Sequence, residues 1–273
     1  CHILRFHITK NTFIMNNNTE EKNIHEFDFS LICDYFSSLK RQGPGSDEAT
    51  LRALKMIPTI GEDSTIADLG CGTGSSTIIL AEETHADITA IDLFPNFLKI
   101  LNKNALNSNL SKYIRTLQGD MADIPFAKDS LDLIWCEGAI YNIGFEKGLT
   151  TWRPFLKMNG YVAVSESTWL TAQRPKEIQE FWDEAYSEMT TVDSNLDIIK
   201  KSGYELIDWF VLPQECWTEN FYEPAAIIQE KYLARNADNP FAQELVQNQR
   251  HEAAMYKKYH QYYGYVFYIA KKE

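Results

Sequence analysis

A glycine-rich turn between two apolar segments constrains this chain more than any other feature. The turn, Gly70-Cys-Gly-Thr-Gly74, follows the mostly apolar run 66–69, and a second apolar run ends at Asp92. Its three glycines let the backbone bend sharply and approach a ligand without a Cβ in between, and the helix predicted from Ser75 directs free N–H groups at the same place. The strand-end carboxylate can accept hydrogen bonds from both hydroxyls of a ribose. The sequence therefore predicts two parallel strands with a nucleotide site at their carboxyl ends.

The position of one carboxylate separates two kinds of nucleotide ligand. The dinucleotide pattern has its third small residue at position 75, one residue after Gly74, and has no use for an anion beside the pyrophosphate. Asp68 is expected at that point, where it would repel a pyrophosphate. The same carboxylate suits a ligand that carries an ammonium and a sulfonium, such as S-adenosyl-L-methionine.

Two later segments extend the pattern. Residues 119–121 read Gly-Asp-Met, and residues 131–138 read Leu-Asp-Leu-Ile-Trp-Cys-Glu-Gly. With the turn and Asp92, they resemble the class I S-adenosylmethionine-dependent methyltransferases over roughly residues 46–212 and the last strand. The resemblance implies that the turn holds the methionine moiety, Asp92 the ribose and Asp120 the adenine amino group. The cofactor-binding residues that it implies are Asp68, Gly70, Cys71, Gly72, Gly74, Asp92, Leu93, Gly119, Asp120, Met121, Glu137 and Gly138.

The order of the predicted elements indicates the fold class. Apolar strands alternate with helical stretches from 64 to 166, and this rhythm requires crossover connections and a parallel sheet. We predict an α/β fold with a Rossmann-like, mostly parallel sheet of seven strands, helices on both faces and a helical, aromatic cap. By the resemblance, the last strand is antiparallel. The predicted strands are 65–69, 87–92, 113–118, 131–136, 160–166, 204–211 and 262–270. The predicted helices of the core are 75–84, 95–107 and 145–157.

One methyltransferase domain is expected over 24–273. Residues 1–23 are expected to be a disordered or tag-like segment, with Met15 as the natural start. The expected parts of the domain are an N-terminal helical lid at 24–60, a cofactor-binding core at 61–166, and cap insertions at 167–195 and 213–260. The second insertion is expected to form an acceptor lid with a helix at 24–40. A dimer surface or an aromatic satellite core is the alternative for that insertion.

The composition disfavours several kinds of partner. The net charge is −12 and no basic run exceeds two residues, so the attraction to phosphates that nucleic-acid enzymes use is missing and no nucleic-acid partner is expected. No apolar segment is long enough to span a membrane. Five cysteines without a C-x-x-C pair indicate a reducing, cytoplasmic location rather than a disulfide framework. The histidines have no metal-ligand spacing, so no metal is expected. A homodimer stays open.

The expected chemistry is an in-line displacement at a methyl group. Alignment of the reactants contributes on the order of 7–11 kcal/mol to such a step, whereas a general base adds about 10²–10⁴-fold. Tyr141 and Glu166 are candidates for orienting or deprotonating the acceptor, although the tyrosine could instead only pack and the glutamate could hold a loop N–H. Trp135 and Trp169 could offer aromatic faces to the cationic donor.

The predicted function is S-adenosylmethionine-dependent methyl transfer to a small-molecule acceptor. The alternative is a non-catalytic sensor or scaffold protein of the same fold that binds S-adenosylmethionine or S-adenosylhomocysteine. The acceptor's identity and atom type stay open at this stage.

Overall fold

The computed structural model describes residues 30–273, in which strands and helices alternate as predicted. The strands are β1 (Thr65–Leu69), β2 (Asp87–Asp92), β3 (Ile114–Gln118), β4 (Leu131–Glu137), β5 (Leu156–Trp169), β6 (Thr190–Thr191), β7 (Tyr204–Val211) and β8 (Tyr263–Lys272). The helices are α1 (30–37), α2 (Asp47–Lys55), α3 (Ser75–Thr84), α4 (Pro95–Asn107), α5 (Phe145–Trp152), α6 (Lys176–Ala185), α7 (Val192–Lys201), α8 (Glu223–Arg235) and α9 (Pro240–Tyr259). The expectations for residues 1–23, and for a helix start at residue 24, lie outside the described residues.

All eight strands form one sheet, in the order β3-β2-β1-β4-β5-β8-β7, with the short β6 beside the end of β5. Strand β8 runs antiparallel to both of its neighbours, and the other pairings are parallel. The strand order reverses between β1 and β4. In open parallel sheets, ligands bind at such a switch point, beyond the carboxyl ends of the strands. The predicted Rossmann-like fold is confirmed.

Apolar side chains cover both faces of this sheet. Four of the five residues of β1 and five of the six residues of β2 are buried, as is usual for parallel strands with helices on both sides. Alternate residues of one strand enter different cores: Ile66 packs on one face, and Ala67 and Leu69 on the other. This double packing fixes where each strand ends and therefore where its terminal residues lie.

Two predicted boundaries were wrong. The helix predicted over 145–157 ends at Trp152, since Pro154 cannot continue the backbone hydrogen-bond ladder, and a single 3₁₀ turn follows. The strand predicted over 160–166 is longer and spans Leu156–Trp169. The sheet also has an eighth strand, since Thr190–Thr191 pairs with the end of β5.

A third apolar cluster joins the N-terminal helix to the insertion at 213–260. Residues of α1 pack against Phe221 and against helices α8 and α9, and Phe97 of α4 completes the cluster. The hydroxyl of Tyr232 donates a hydrogen bond to the Leu31 carbonyl at 3.1 Å. The two segments therefore pack together as one cap. Its division into the predicted lid and insertions stays a prediction.

Candidate functional site

A cavity of about 440 Å³ opens at the switch point of the sheet, beyond the ends of β1, β2, β3 and β4. This volume is within the range of small-molecule sites. The wall consists of the segment that joins α1 to α2, the glycine turn, the strand ends and the turn after β4. The lining residues are Arg41, Gln42, Gly43, Pro44, Gly70, Cys71, Gly72, Ser75, Ser76, Ile91, Asp92, Leu93, Phe94, Phe97, Gly119, Asp120, Met121, Glu137, Gly138, Ala139, Tyr141, Asn142 and Ile143.

The glycine turn folds back onto β2. The amides of Gly70 and Cys71 both donate to the Ile91 carbonyl, at 2.8 and 3.1 Å. Gly72 has φ +55°, and a Cβ built there would lie 2.3 Å from the Gln42 side-chain oxygen. A side chain at this position would therefore be strained and would crowd the cavity wall.

Gly74 serves the fold rather than the cavity. It does not line the wall, and a Cβ there would lie 2.1 Å from Leu101 of α4. Its φ of +89° lets the chain turn from the glycine segment into α3. The predicted cofactor contact at Gly74 is thus not reproduced, because its missing side chain permits close packing of two helices.

Asp92 lies in the wall at the end of β2 and organises the turns around it. Its carboxylate accepts hydrogen bonds from the Gly72 amide at 2.8 Å and the Phe94 amide at 2.9 Å. Burial raises the pKa of this carboxyl, although the backbone hydrogen bonds oppose the shift. The Asp92 carbonyl also accepts from the Gly119 amide at 3.1 Å, which links β2 to the turn after β3. One residue therefore fixes three parts of the wall.

The turn after β3 places Asp120 and Met121 at the cavity. Asp120 is exposed and accepts a hydrogen bond from the Ala122 amide at 2.8 Å. The indole N–H of Trp152 donates to the Met121 carbonyl at 2.7 Å and so fixes the position of this turn. Leu93 is 52% exposed at the rim. The sequence prediction that these residues come together is confirmed, whereas their contacts with a cofactor stay a prediction.

Asp68 does not reach the cavity. Its side chain points under the first turn of α3, where it accepts hydrogen bonds from the hydroxyls of Thr77 at 2.6 Å and Ser76 at 3.2 Å. Burial, with smaller contributions from Glu137 and Asp92, raises the pKa of Asp68 to about 7. Asp68 does not line the cavity, and its contact with a cationic ligand stays a prediction.

Glu137 and Cys71 also differ from simple cofactor contacts. The Glu137 carboxylate lines the wall but accepts hydrogen bonds from Arg41 at 3.0 Å and Thr50 at 2.6 Å. The Trp135 indole N–H donates to it at 3.1 Å, and that fully buried ring does not face the cavity. Burial raises the pKa of the Cys71 thiol, so this cysteine is a packed thiol rather than a nucleophile.

The two catalytic candidates occupy different places. Tyr141 lies in the cavity wall, with its ring 6.0 Å from the ring of Tyr186. Glu166 lies within β5, 2% exposed, and does not line the cavity. Trp169, three residues further along the same strand, packs on Tyr263 and likewise stays outside the wall. Only the first candidate can touch an acceptor bound in this cavity.

The insertions contribute no side chain to the wall. Residues 167–195 and 213–260 lie wholly within the described part of the chain, and none of them lines the cavity. The acceptor lid expected at 213–260 has no residue in the wall and stays a prediction. The segment 41–44, which does line the cavity, lies within the N-terminal lid predicted at 24–60. Two glycines around Pro44 are the local signal for a shaped turn there.

Within residues 30–273, no group of three or more histidine, cysteine, aspartate or glutamate residues could hold a metal ion. Over the same residues, no helix combines the length and apolar character needed to cross a bilayer.

Comparison with known proteins shows which domain the chain contains and which fold it shares. Residues 66–160 match the methyltransferase domain family. The solved S-adenosylmethionine-dependent methyltransferase of Geobacter sulfurreducens, in complex with S-adenosyl-L-homocysteine, superposes with a TM-score of 0.78 at 16% identity, covering 89% of this chain and 98% of that one. This chain therefore contains a methyltransferase domain and has the fold of the class I methyltransferases.

Similarity also runs to further proteins, among them methyltransferases with different acceptors. The phosphoethanolamine N-methyltransferase of Plasmodium falciparum is 22% identical over 236 residues, 83% of this chain and 81% of that one. A ribosomal protein arginine N-methyltransferase of Schizosaccharomyces pombe is 27% identical over 159 residues, and this methyltransferase spans only 28% of its length. E. coli YjhP superposes with a TM-score of 0.77 at 21% identity, covering 89% of this chain and 99% of that one.

The cavity fits S-adenosylmethionine, which is bound in one of the solved methyltransferases that this chain resembles. Gly70 and Gly72 leave the backbone uncovered at the end of β1, while Asp92 and the exposed Asp120 present carboxylates at the ends of β2 and β3. Such carboxylates accept hydrogen bonds from hydroxyl and amino groups. An adenosine with an amino-acid side chain carries both kinds of donor.

Proposed function

We propose that this protein transfers a methyl group from S-adenosylmethionine to a small-molecule acceptor, and that both bind in the cavity at the switch point. The observation that carries the proposal is the continuity of this cavity. The same cavity is lined by the glycine turn, Asp92 and Asp120 and by the aromatic residues Phe94, Phe97 and Tyr141. Polar groups for a nucleoside and aromatic groups for an acceptor, in one cavity, are what a two-substrate transfer requires.

The strand-end residues would hold the cofactor. The backbone at Gly70 and Gly72 would approach the methionine moiety, and Asp92 would accept hydrogen bonds from the ribose hydroxyls. Asp120 would accept one from the adenine amino group, with Met121 against the ring. When bound, S-adenosylmethionine supplies an electrophilic methyl group on a cationic sulfur. The work of the protein is to hold the acceptor in line with it and to exclude water.

Tyr141 is the residue that we assign to the acceptor. It is in the wall and almost fully buried, so its hydroxyl can orient an acceptor atom or take its proton. Glu166 has no place at the cavity and we assign it no contact with the acceptor. Alignment alone can supply a larger part of the barrier reduction than a base, so the reaction does not depend on a second titratable group.

A small acceptor is favoured over a macromolecule on two grounds. The net charge of −12 disfavours nucleic acid, and the cavity volume of about 440 Å³ is that of a small-molecule site. Relatives differ in this respect: their names give phosphoethanolamine for one and a ribosomal protein for another. We also propose a cytoplasmic location and a homodimer. The four cysteines within the described residues are free, which agrees with a reducing, cytoplasmic location.

The test is incubation of the protein with methyl-labelled S-adenosylmethionine and a fractionated metabolite extract, with mass spectrometry of the products. We expect a small molecule that gains one labelled methyl group, together with S-adenosylhomocysteine. Binding of the cofactor without labelled product in any fraction would favour the sensor or scaffold alternative. Label that enters RNA or protein instead would contradict the small acceptor.

A further inference from the structure

The segment between α1 and α2, residues 40–46, crosses the mouth of the cavity and is called the strap here. On one side it contacts the glycine turn. The Gln42 side chain accepts a hydrogen bond from the Thr73 amide at 3.0 Å, and the Lys40 carbonyl accepts from the hydroxyls of Thr73 and Ser75 at 3.2 and 2.5 Å. Four consecutive strap residues, 41–44, line the cavity.

On the other side, a buried ion pair fastens the strap to the end of β4. Arg41 donates to Glu137 at 3.0 Å, and the two side chains are only 8% and 11% exposed. Thr50 and the Trp135 indole donate to the other oxygen of the same carboxylate. Arg41 also donates to Asp47 at 3.1 Å, at the half-exposed start of α2.

A buried ion pair is a costly way to fasten a segment, because desolvation of both charges offsets their attraction and an apolar contact could hold the strap equally well. These charges, however, line a cavity whose ligand changes charge in the reaction. The methyl donor is a sulfonium cation, and the product S-adenosylhomocysteine has a neutral sulfur. Among the described wall residues Arg41 is the only cation, and unpaired it would repel the donor.

We propose that the Arg41–Glu137 pair is a positioning device that holds the strap as a wall of the cavity while cancelling the charge that the strap brings in. Glu137 then acts through Arg41 and not by binding the cofactor. This inference rests on the proposed function, since it concerns the methyl donor and its product. It gives the pair a measurable property: the pair sets the ratio of the affinities for S-adenosylmethionine and S-adenosylhomocysteine.

The experiment measures both affinities by calorimetry in the parent, Glu137→Gln, Arg41→Met and the double variant. Glu137→Gln leaves a cation that only the half-exposed Asp47 still faces, so S-adenosylmethionine should lose more affinity than S-adenosylhomocysteine, by about threefold or more. Arg41→Met leaves an unpaired anion and should move the ratio in the opposite direction. The double variant should restore the parent ratio, and Arg41→Lys should keep it.

The matched control is Arg235→Met. It removes another arginine–carboxylate pair of the cap, with Asp34, whose side chains are 49% and 47% exposed, and should leave the ratio unchanged. Equal loss of both affinities in Glu137→Gln and Arg41→Met would show that the pair is only structural and would overturn the inference. If Arg41→Met does not fold, Glu137→Gln alone decides the test, because it preserves the shape of the side chain. A parent that binds neither ligand would instead contradict the proposed function.

Discussion

The strand-end wall of the cavity and the cap use their side chains in different ways. In the wall, Asp92 and Asp120 accept hydrogen bonds from nearby amides and still lie at the cavity. In the cap, Trp217 stacks on Tyr256 with ring centroids 4.4 Å apart, and both rings are buried. The cap has more aromatic surface and more helix, but the wall has the accessible polar groups. Aromatic content in an insertion therefore indicated a core here, not a binding surface.

The cap nonetheless affects the cavity indirectly. The Gly45 amide of the strap donates to the Cys216 carbonyl at 3.2 Å, and Phe97 belongs both to the cap cluster and to the wall. The cap supports the strap, and the strap closes the cavity. Substitutions in the two regions should separate ligand binding from stability.

Gly72→Val should give the largest loss of binding. The new side chain would meet Gln42 in the wall and adopt an unfavourable φ of +55°, at about 1–2 kcal/mol of strain. We expect no thermal stabilisation by S-adenosylhomocysteine, in a protein that still folds. Gly61→Val is the control, because a Cβ there has no atom within 4 Å. Undiminished stabilisation of Gly72→Val would remove the turn from the site.

Trp217→Ala should give the largest loss of stability and little loss of binding. Removing a fully buried tryptophan costs about 3–5 kcal/mol of the free energy of unfolding, since this ring packs on Tyr222, Tyr256 and Tyr265. Urea denaturation measures the loss, and calorimetry of the folded variant should give nearly the parent affinity for S-adenosylhomocysteine. Trp209→Ala, at a ring that is 38% exposed, is the control. A stable Trp217→Ala that no longer binds would make the cap part of the site.

The smallest effect concerns Asp68, which lies under the first turn of α3 and outside both regions. Its pKa rises from 3.8 to about 7 on folding, chiefly through burial. Between these values the folded protein keeps a proton that the unfolded chain has lost, so its contribution to stability falls as the pH rises through this window. Asp68→Asn should therefore gain more in melting temperature at about pH 8 than at about pH 5. The control is Asp63→Asn, at an exposed carboxylate, which should not gain melting temperature at either pH. An equal gain of Asp68→Asn at both pH values would contradict the raised pKa of Asp68.

The sequence predicted the parts of the site that depend on local structure. The turn, Asp92 and the turn after β3 each follow directly from a buried strand, and the carboxyl ends of parallel strands meet at one edge of the sheet. For that reason the sequence could predict that these segments lie close together. The helix bounds 75–84 and 95–107 also agree, because the first helix follows a left-handed glycine and the second begins at a proline, and both are local signals.

The remaining features depend on tertiary contacts. Glu137 is paired with Arg41, 96 residues away in the chain, and with Thr50, 87 residues away. No local pattern reveals these partners, so the carboxylate could be taken for a cofactor ligand. The burial of Asp68 under α3 depends on register and packing, which no local pattern reveals. The burial of the aromatic rings in the insertion likewise cannot be read from its composition.

The central claim is that the cavity at the strand ends is the cofactor site, and Asp92 tests it most directly. Asp92 ends β2 in the wall, whereas Asp87 begins the same strand, with a side chain 60% exposed that faces Arg115. Calorimetric titration with S-adenosylhomocysteine should show about tenfold or greater weakening in Asp92→Asn, because charge-assisted hydrogen bonds to the ribose are lost. Asp87→Asn should match the parent. Parent-like affinity in Asp92→Asn would contradict the account.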